Sequence, residues 1–185
     1  MSYRKIEKPY KTILKWHNIK MLVFDFDGVL TDGRIIYDSS GSESKNFDAH
    51  DGMGFLILRQ TDLISVVITG RNSNVVQRRC EDLGINYVFQ GVHNKLERIS
   101  QLLEELKLSF ENVLYMGDDW RDIPVMFKAA LSVCPADAEP EIKSLVDHVT
   151  KHDGGRGAAR ECIEYVLTHK GMYEQAVVAY INTIS

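Results

Sequence analysis

The chain predicts an α/β fold, a doubly wound parallel sheet, and three observations carry that prediction. Short and almost continuous apolar runs recur along the 185 residues, segments with the apolar spacing of amphipathic helices separate them, and the strongest runs end in Asp, Thr or Gly. Apolar runs of this length suit strands covered on both faces. Alternation of strand and helix implies right-handed crossovers, which place chemistry at the carboxyl ends of the strands.

Taken in order, the strands are expected at Met21 to Phe24, Leu63 to Ile68, Tyr87 to Phe89, Val113 to Met116 and Leu131 to Val133. Helices are expected at Gly54 to Thr61, Asn74 to Leu83, Leu96 to Leu106, Ile123 to Ala130 and Pro140 to Val146. Leu96, Ile99, Leu102, Leu103 and Leu106 share one helical face, the mark of a helix lying on a core. Arg34 to Tyr37 and Glu43 to Phe47, around the polar turn 38–42, break the alternation and read as a β-hairpin inserted after the first strand, over 33–48. The organisation expected is a leading segment at 1–20, one domain at 21–170 and a helical tail at 171–185, with no insertion large enough to be a second domain.

Lys and Arg number 22 against 26 Asp and Glu, a net charge of −4, which argues against a nucleic-acid partner. A cluster of basic residues, Arg4, Lys5, Lys8, Lys11, Lys15 and Lys20, reads as a solvated leading helix rather than a binding arm. No run approaches the ~18 apolar residues of a membrane span, and the first residues do not have the pattern of a secretory signal. Cys80, Cys134 and Cys162 form neither a disulfide framework nor a zinc pattern, so a cytoplasmic setting is expected.

The sharpest local signal is Phe24-Asp25-Phe26-Asp27-Gly28, two carboxylates two apart at the end of an apolar strand. Strand alternation sends both to one side, where they need a cation or hydrogen bonds. Thr69-Gly70 follows the second strand, Asn94-Lys95 opens a helix, and Gly117-Asp118-Asp119 ends a later strand, with Asp122 close behind. Taken singly each is weak: Thr69 reads first as a helix cap, Lys95 first as a solvated charge, and Asp118-Asp119 as readily as a polar turn or cap. Together they supply carboxylates for Mg²⁺, a hydroxyl and amides for phosphate oxygens, and a cation to spread charge.

These four ordered motifs resemble those of the haloacid dehalogenase superfamily of phosphatases. Within it, DFDGVLTDGRI at 25–35, DGMG at 51–54, ITGRN at 68–72, RRCEDLGI at 78–85, QGVHNKL at 90–96, YMGDD at 115–119 and GGRGAARE at 154–161 make the chain similar to the cap-less 3-deoxy-D-manno-octulosonate 8-phosphate phosphatases. The resemblance implies a haloacid dehalogenase fold and a Mg²⁺-dependent phosphomonoesterase of lipopolysaccharide precursor synthesis. It implies that Asp25 is the nucleophile, forming an aspartyl-phosphate, and that Asp27 is the acid and base. Thr69, the Gly70 amide and Lys95 would hold the transferring oxygens. Asp25, Asp118 and the Asp27 carbonyl would ligate Mg²⁺ with help from Asp119.

Substrate contacts implied in the same way are Asp48, His50, Asp51, Gly52, Arg71, Arg79 and Arg156. Asp48 and His50 depart from the Asn and Arg common in the family, and Leu56 stands where an Arg is common. Arg71 favours the eight-carbon acid over the related nine-carbon ulosonic acid 9-phosphates. The resemblance further implies a homotetramer whose hairpins pack together and whose neighbouring subunits close the site. A phospho-acceptor receiver domain uses the same residue types, but there the adjacent acidic pair comes first, whereas here it comes last.

Overall fold

The computed structural model describes residues 14–184. The greater part of the basic leading segment therefore lies outside the described residues. A short helix α1 (Leu14–Asn18) leads into β1 (Met21–Phe24), and the inserted hairpin follows as β2 (Ile36–Tyr37) and β3 (Glu43–Ser44). Next come α2 (Ala49–Leu58), β4 (Ile64–Ile68), α3 (Asn74–Leu83), β5 (Tyr87–Phe89), α4 (Lys95–Glu105) and β6 (Val113–Met116). The chain continues through α5 (Ile123–Lys128), β7 (Leu131–Cys134), α6 (Pro140–Leu145), β8 (His148–Val149), α7 (Ala158–His169) and α8 (Tyr173–Thr183).

All six strands of the main sheet run parallel, in the order β5-β4-β1-β6-β7-β8. β1 lies inside the sheet, and the chain builds outward from it first through β4 and then through β6. That reversal opens a crevice beyond the carboxyl ends of β1, β4 and β6. Alternate residues divide the core between two faces. Leu22 and Phe24 pack with α2, α3 and α7, while Met21 and Val23 pack with α4, α5 and α6. Every residue of β1 is fully buried, as the unbroken apolar run requires.

The hairpin is shorter than expected, two paired residues in each strand. A larger difference is α2, which begins at Ala49 rather than at Gly54. Asp48 caps it by accepting from the His50 amide at 2.6 Å. Two glycines, poor helix formers, hide that start in the sequence. They are kept for close approach: a Cβ on Gly54 would stand 3.0 Å from the Arg160 Cα, where α2 crosses α7. Helix α8 returns to the same face and buries Ala176 against it. Cys80, Cys134 and Cys162 are all free and buried.

Candidate active site

A cleft of about 270 Å³ opens at the carboxyl ends of β1, β4 and β6. Asp25, Asp27, Thr69, Gly70, Arg71, Lys95, Asp118 and Asp119 line it, together with Gly33 and Arg121. Four motifs spread over almost a hundred residues thus meet in one place, each at the end of a strand or the start of a helix.

Asp25 leaves β1 with its amide donating to the Met116 carbonyl at 2.9 Å, which ties the first motif to the strand carrying the last. Its Oδ1 lies 2.8 Å from Lys95 Nζ. Burial, and then the charge of Asp122, push its carboxyl up to about 7 against the pull of Lys95. Gly28 closes the turn after the acids at φ +84°, and a Cβ there would collide with the Asp118 carboxylate. That glycine lets the first and last motifs touch.

Thr69 is buried, and its Oγ1 accepts from the Arg71 amide at 3.2 Å, which leaves its own proton to donate. Lys95 enters from the first turn of α4, whose N-cap Asn94 accepts from the Glu97 amide at 3.2 Å. The Lys95 side chain is 4% exposed. Burial works to lower its pKa, but Asp25 and Asp122 outweigh burial and hold it above the ordinary value.

Asp118 is the least satisfied of the acids. Burial, followed by repulsion from Asp25, Asp122 and Asp119, raises its carboxyl to about 8. Its Oδ1 is buried and has no hydrogen-bond partner. Oxygens of Asp25, Asp118 and Asp122 all lie within 4.8 Å of one another. One lysine cannot neutralise three such carboxylates, so the cluster fits a hard divalent cation with oxygen ligands. Asp25 and Asp118 are the ligands it offers, because both oxygens of Asp122 are already engaged. Asp122 Oδ1 accepts from Lys95 Nζ at 2.7 Å and from the Tyr115 hydroxyl at 2.6 Å, and Oδ2 accepts from the amides of Asp118 and Asp119. Asp119 lines the cleft outside that cluster of three, and its Oδ1 accepts from the Trp120 amide at 2.6 Å, capping the following turn.

Asp122 therefore organises the site, a position for which sequence reading gave no role. Its signal was present in Gly117, where a Cβ would strike the Asp122 carboxylate: a glycine at a strand end with an acid five residues on. Two basic residues were also missed. Arg121 Nη1 would come within 2.8 Å of a Cβ on Gly70, at the mouth of the cleft. Lys45, beyond the hairpin, donates to Asp27 Oδ1 at 2.5 Å.

The expected substrate contacts divide. Arg71 lies in the cleft, held by the Tyr37 hydroxyl at 2.5 Å and Glu43 at 3.3 Å. Asp48 and Arg156 line a neighbouring cavity of about 290 Å³ with Asp32, Asn46 and Phe47. His50 and Arg156 border a further one of about 410 Å³. Asp51 and Gly52 stand apart from the cleft. The buried carboxylate of Asp51 accepts from the Gly157 and Arg160 amides at 3.1 and 2.9 Å, so it staples α2 to the start of α7. Gly52 faces the Arg79 guanidinium, which stacks over Phe47 and donates to the Asp48 carbonyl at 3.1 Å. Gly155 donates to the Val29 carbonyl at 2.9 Å, and Gly154 packs directly on the Gly28 carbonyl. Segment 154–157 thus braces the Asp25 loop from behind, and within one chain Arg156 does not enter the Asp25 cleft.

A family model described as haloacid dehalogenase-like hydrolase matches residues 84–161. The 3-deoxy-D-manno-octulosonate 8-phosphate phosphatase KdsC of Escherichia coli K12 is 44% identical over 164 residues, 89% of this chain and 87% of its own. The chain belongs to this family of haloacid dehalogenase-like phosphatases. Among solved structures of the family, the Moraxella catarrhalis phosphatase, in complex with magnesium, phosphate and KDO, is 34% identical at a TM-score of 0.86, covering 94% of this chain and 97% of its own. A probable YrbI family phosphatase of Pseudomonas syringae is 40% identical at a TM-score of 0.88, with 91% and 96% covered. Membership agrees with the sheet order and with motifs placed at strand ends, and it removes the receiver-domain reading.

Proposed function

We propose that the protein is a Mg²⁺-dependent phosphatase that hydrolyses 3-deoxy-D-manno-octulosonate 8-phosphate through an aspartyl-phosphate. The observation that carries this reading is the buried, unpartnered Oδ1 of Asp118 beside Asp25 in a cleft that also holds Thr69 and Lys95. Bound there, Mg²⁺ would neutralise the carboxylates and offset the charge of the phosphoryl group.

Asp25 supplies the attacking oxygen, and Lys95 holds that carboxylate in place from the side. As the Asp25 oxygen bonds to phosphorus, the ester bond breaks and Asp27 gives its proton to the departing sugar oxygen. Asp27 then takes a proton from water, whose oxygen bonds to phosphorus as the bond to Asp25 breaks. The Thr69 hydroxyl, the Gly70 amide and Lys95 bind the transferring oxygens. Asp119 helps hold the cation, and Arg71 pairs with the sugar-acid carboxylate.

The hairpin supports the further reading of a homotetramer with sites near subunit interfaces. Ile35, Ile36 and Tyr37 are 50%, 39% and 57% exposed, a concentration of apolar surface on the insertion that borders the cleft. Asp48, His50, Arg79 and Arg156, outside the cleft of their own chain, would serve where subunits meet. No described helix is long and apolar enough to cross a membrane, in keeping with a cytoplasmic enzyme.

Phosphate release from the eight-carbon ester and from a nine-carbon ulosonic acid 9-phosphate, measured side by side with Mg²⁺, tests the substrate. A kcat/KM at least ~10-fold higher for the eight-carbon ester is expected, the scale on which pocket contacts discriminate. Equal or reversed preference would move the protein to the nine-carbon branch.

A further inference from the structure

Lys45 is the one residue of the hairpin region that reaches a catalytic carboxylate. The turn is exposed, yet the Lys45 side chain is 0% exposed. Its Nζ donates to Asp27 Oδ1 at 2.5 Å and lies 3.4 Å from Glu43 Oε1. Glu43 in turn lies 3.3 Å from an Arg71 nitrogen that also donates to the Tyr37 hydroxyl. Asp27, Lys45, Glu43 and Arg71 therefore form an alternating chain of charges that joins the loop after β1 to the loop after β4 through the hairpin.

Packing alone does not explain a lysine there. Burying an ammonium costs several kcal/mol before its partners offset it, and an apolar side chain would fill the same space more cheaply. What the ammonium adds is direction. It engages Oδ1 of Asp27, which restrains rotation of the carboxylate without occupying its second oxygen.

We propose that Lys45 is a positioning residue for Asp27, delivered to the site by the inserted hairpin. The inference rests on Asp27 being the acid and base, as proposed above. Held by Lys45, Asp27 Oδ2 passes its proton to the ester oxygen as the phosphorus–oxygen bond breaks. The same oxygen recovers a proton from water in the second step. Lys45 itself touches neither substrate nor phosphoryl group. A displacement of about 1 Å at a reacting group costs on the order of 10²-fold in rate, so losing this anchor should be felt in kcat.

The test compares Lys45→Met, Asp27→Asn and the double variant on two esters in the full-length protein. On the alkyl ester 3-deoxy-D-manno-octulosonate 8-phosphate, Lys45→Met should lower kcat by roughly 30- to 100-fold and leave KM within about 3-fold. On p-nitrophenyl phosphate, whose leaving group departs without a proton, the first turnover should fall by less than about 5-fold. That first turnover also verifies that the variant is folded and its nucleophile in place. In the Asp27→Asn background, adding Lys45→Met should change kcat by less than about 3-fold, because a residue acting through Asp27 has nothing left to act on. Lys45→Gln, which retains a donor, should recover part of the loss. Equal losses on both esters, or effects that multiply in the double variant, would overturn the role of Lys45 and leave the phosphatase reading intact. If Asp27→Asn alone left the alkyl ester rate unchanged, the assignment of Asp27 would fail and that of Lys45 with it.

Discussion

Asp118 shows how a single side chain can carry the argument for a cation. Its carboxyl is raised to about 8 and that of Asp25 to about 7, both from 3.8, chiefly by burial. Across that window the metal-free folded chain keeps protons that the unfolded chain has released. The stability that these two groups contribute is therefore greatest on the acid side and is lost as pH rises through 7 to 8. The carboxyls of Asp32, Glu43 and Glu161 are held low, so they titrate below this window. Thermal melts in chelator should accordingly show a lower midpoint at pH 8.5 than at pH 6, and Mg²⁺ should raise the midpoint more at pH 8.5. A Mg²⁺ effect that is equal or larger at pH 6 would contradict this. Asp122 makes a different prediction. It is fully buried and anchors Lys95, Tyr115 and two backbone amides, so Asp122→Ala should cost about 3 kcal/mol in urea unfolding as well as activity. Asp25→Asn, which keeps the shape of the side chain, should instead leave the folded state intact and reduce turnover on the order of 10⁴-fold or more.

The elements were legible in the sequence to different degrees, for physical reasons. β1, β4 and β6 are apolar because the parallel sheet covers both their faces, and their runs stand out with no knowledge of what they pack on. α3 and α4 show one apolar face each, and α3 was bounded to the residue. α2 begins before its expected start, and the sequence hides this because its first turns carry Gly52 and Gly54, kept for close approach to Arg79 of α3 and to Arg160 of α7, the latter more than a hundred residues away in the chain. The same distance hides the role of Asp51. Its carboxylate accepts two amides at the start of α7, where Gly157 supplies no side-chain cap of its own. Asp51→Ala should therefore destabilise the protein by about 1–2 kcal/mol, the usual cost of losing a helix cap, which denaturant midpoints would register. Asp25, Asp27, Thr69, Lys95 and Asp118, which the fold brings to one cleft, stand out in the sequence because polar residues at the ends of apolar strands, or opening a helix, break the local pattern. Lys45 and Arg121 do not, since a basic residue in a polar stretch carries no periodic signature.

At the scale of the whole molecule, one sheet gathers the proposed catalytic residues at its carboxyl edge, and the inserted hairpin borders the same cleft through Tyr37 and Glu43, which hold Arg71. The proposed homotetramer, with the exposed Ile35, Ile36 and Tyr37 among its contacts, predicts a particle of close to four chain masses in light scattering. Charge placed on that surface by Ile36→Glu should shift the distribution toward smaller species. Part of the acidic surplus, which a net charge of −4 registers only in bulk, is gathered at Asp25, Asp118 and Asp122, a cluster that fits a divalent cation. The most direct test of the account is the initial rate of phosphate release from 3-deoxy-D-manno-octulosonate 8-phosphate across a Mg²⁺ titration, run in parallel for the natural chain and Asp25→Asn. The account predicts a saturating rise with Mg²⁺ that chelator abolishes and that Asp25→Asn lacks at every concentration. Release that ignores Mg²⁺, or that survives Asp25→Asn, would contradict it.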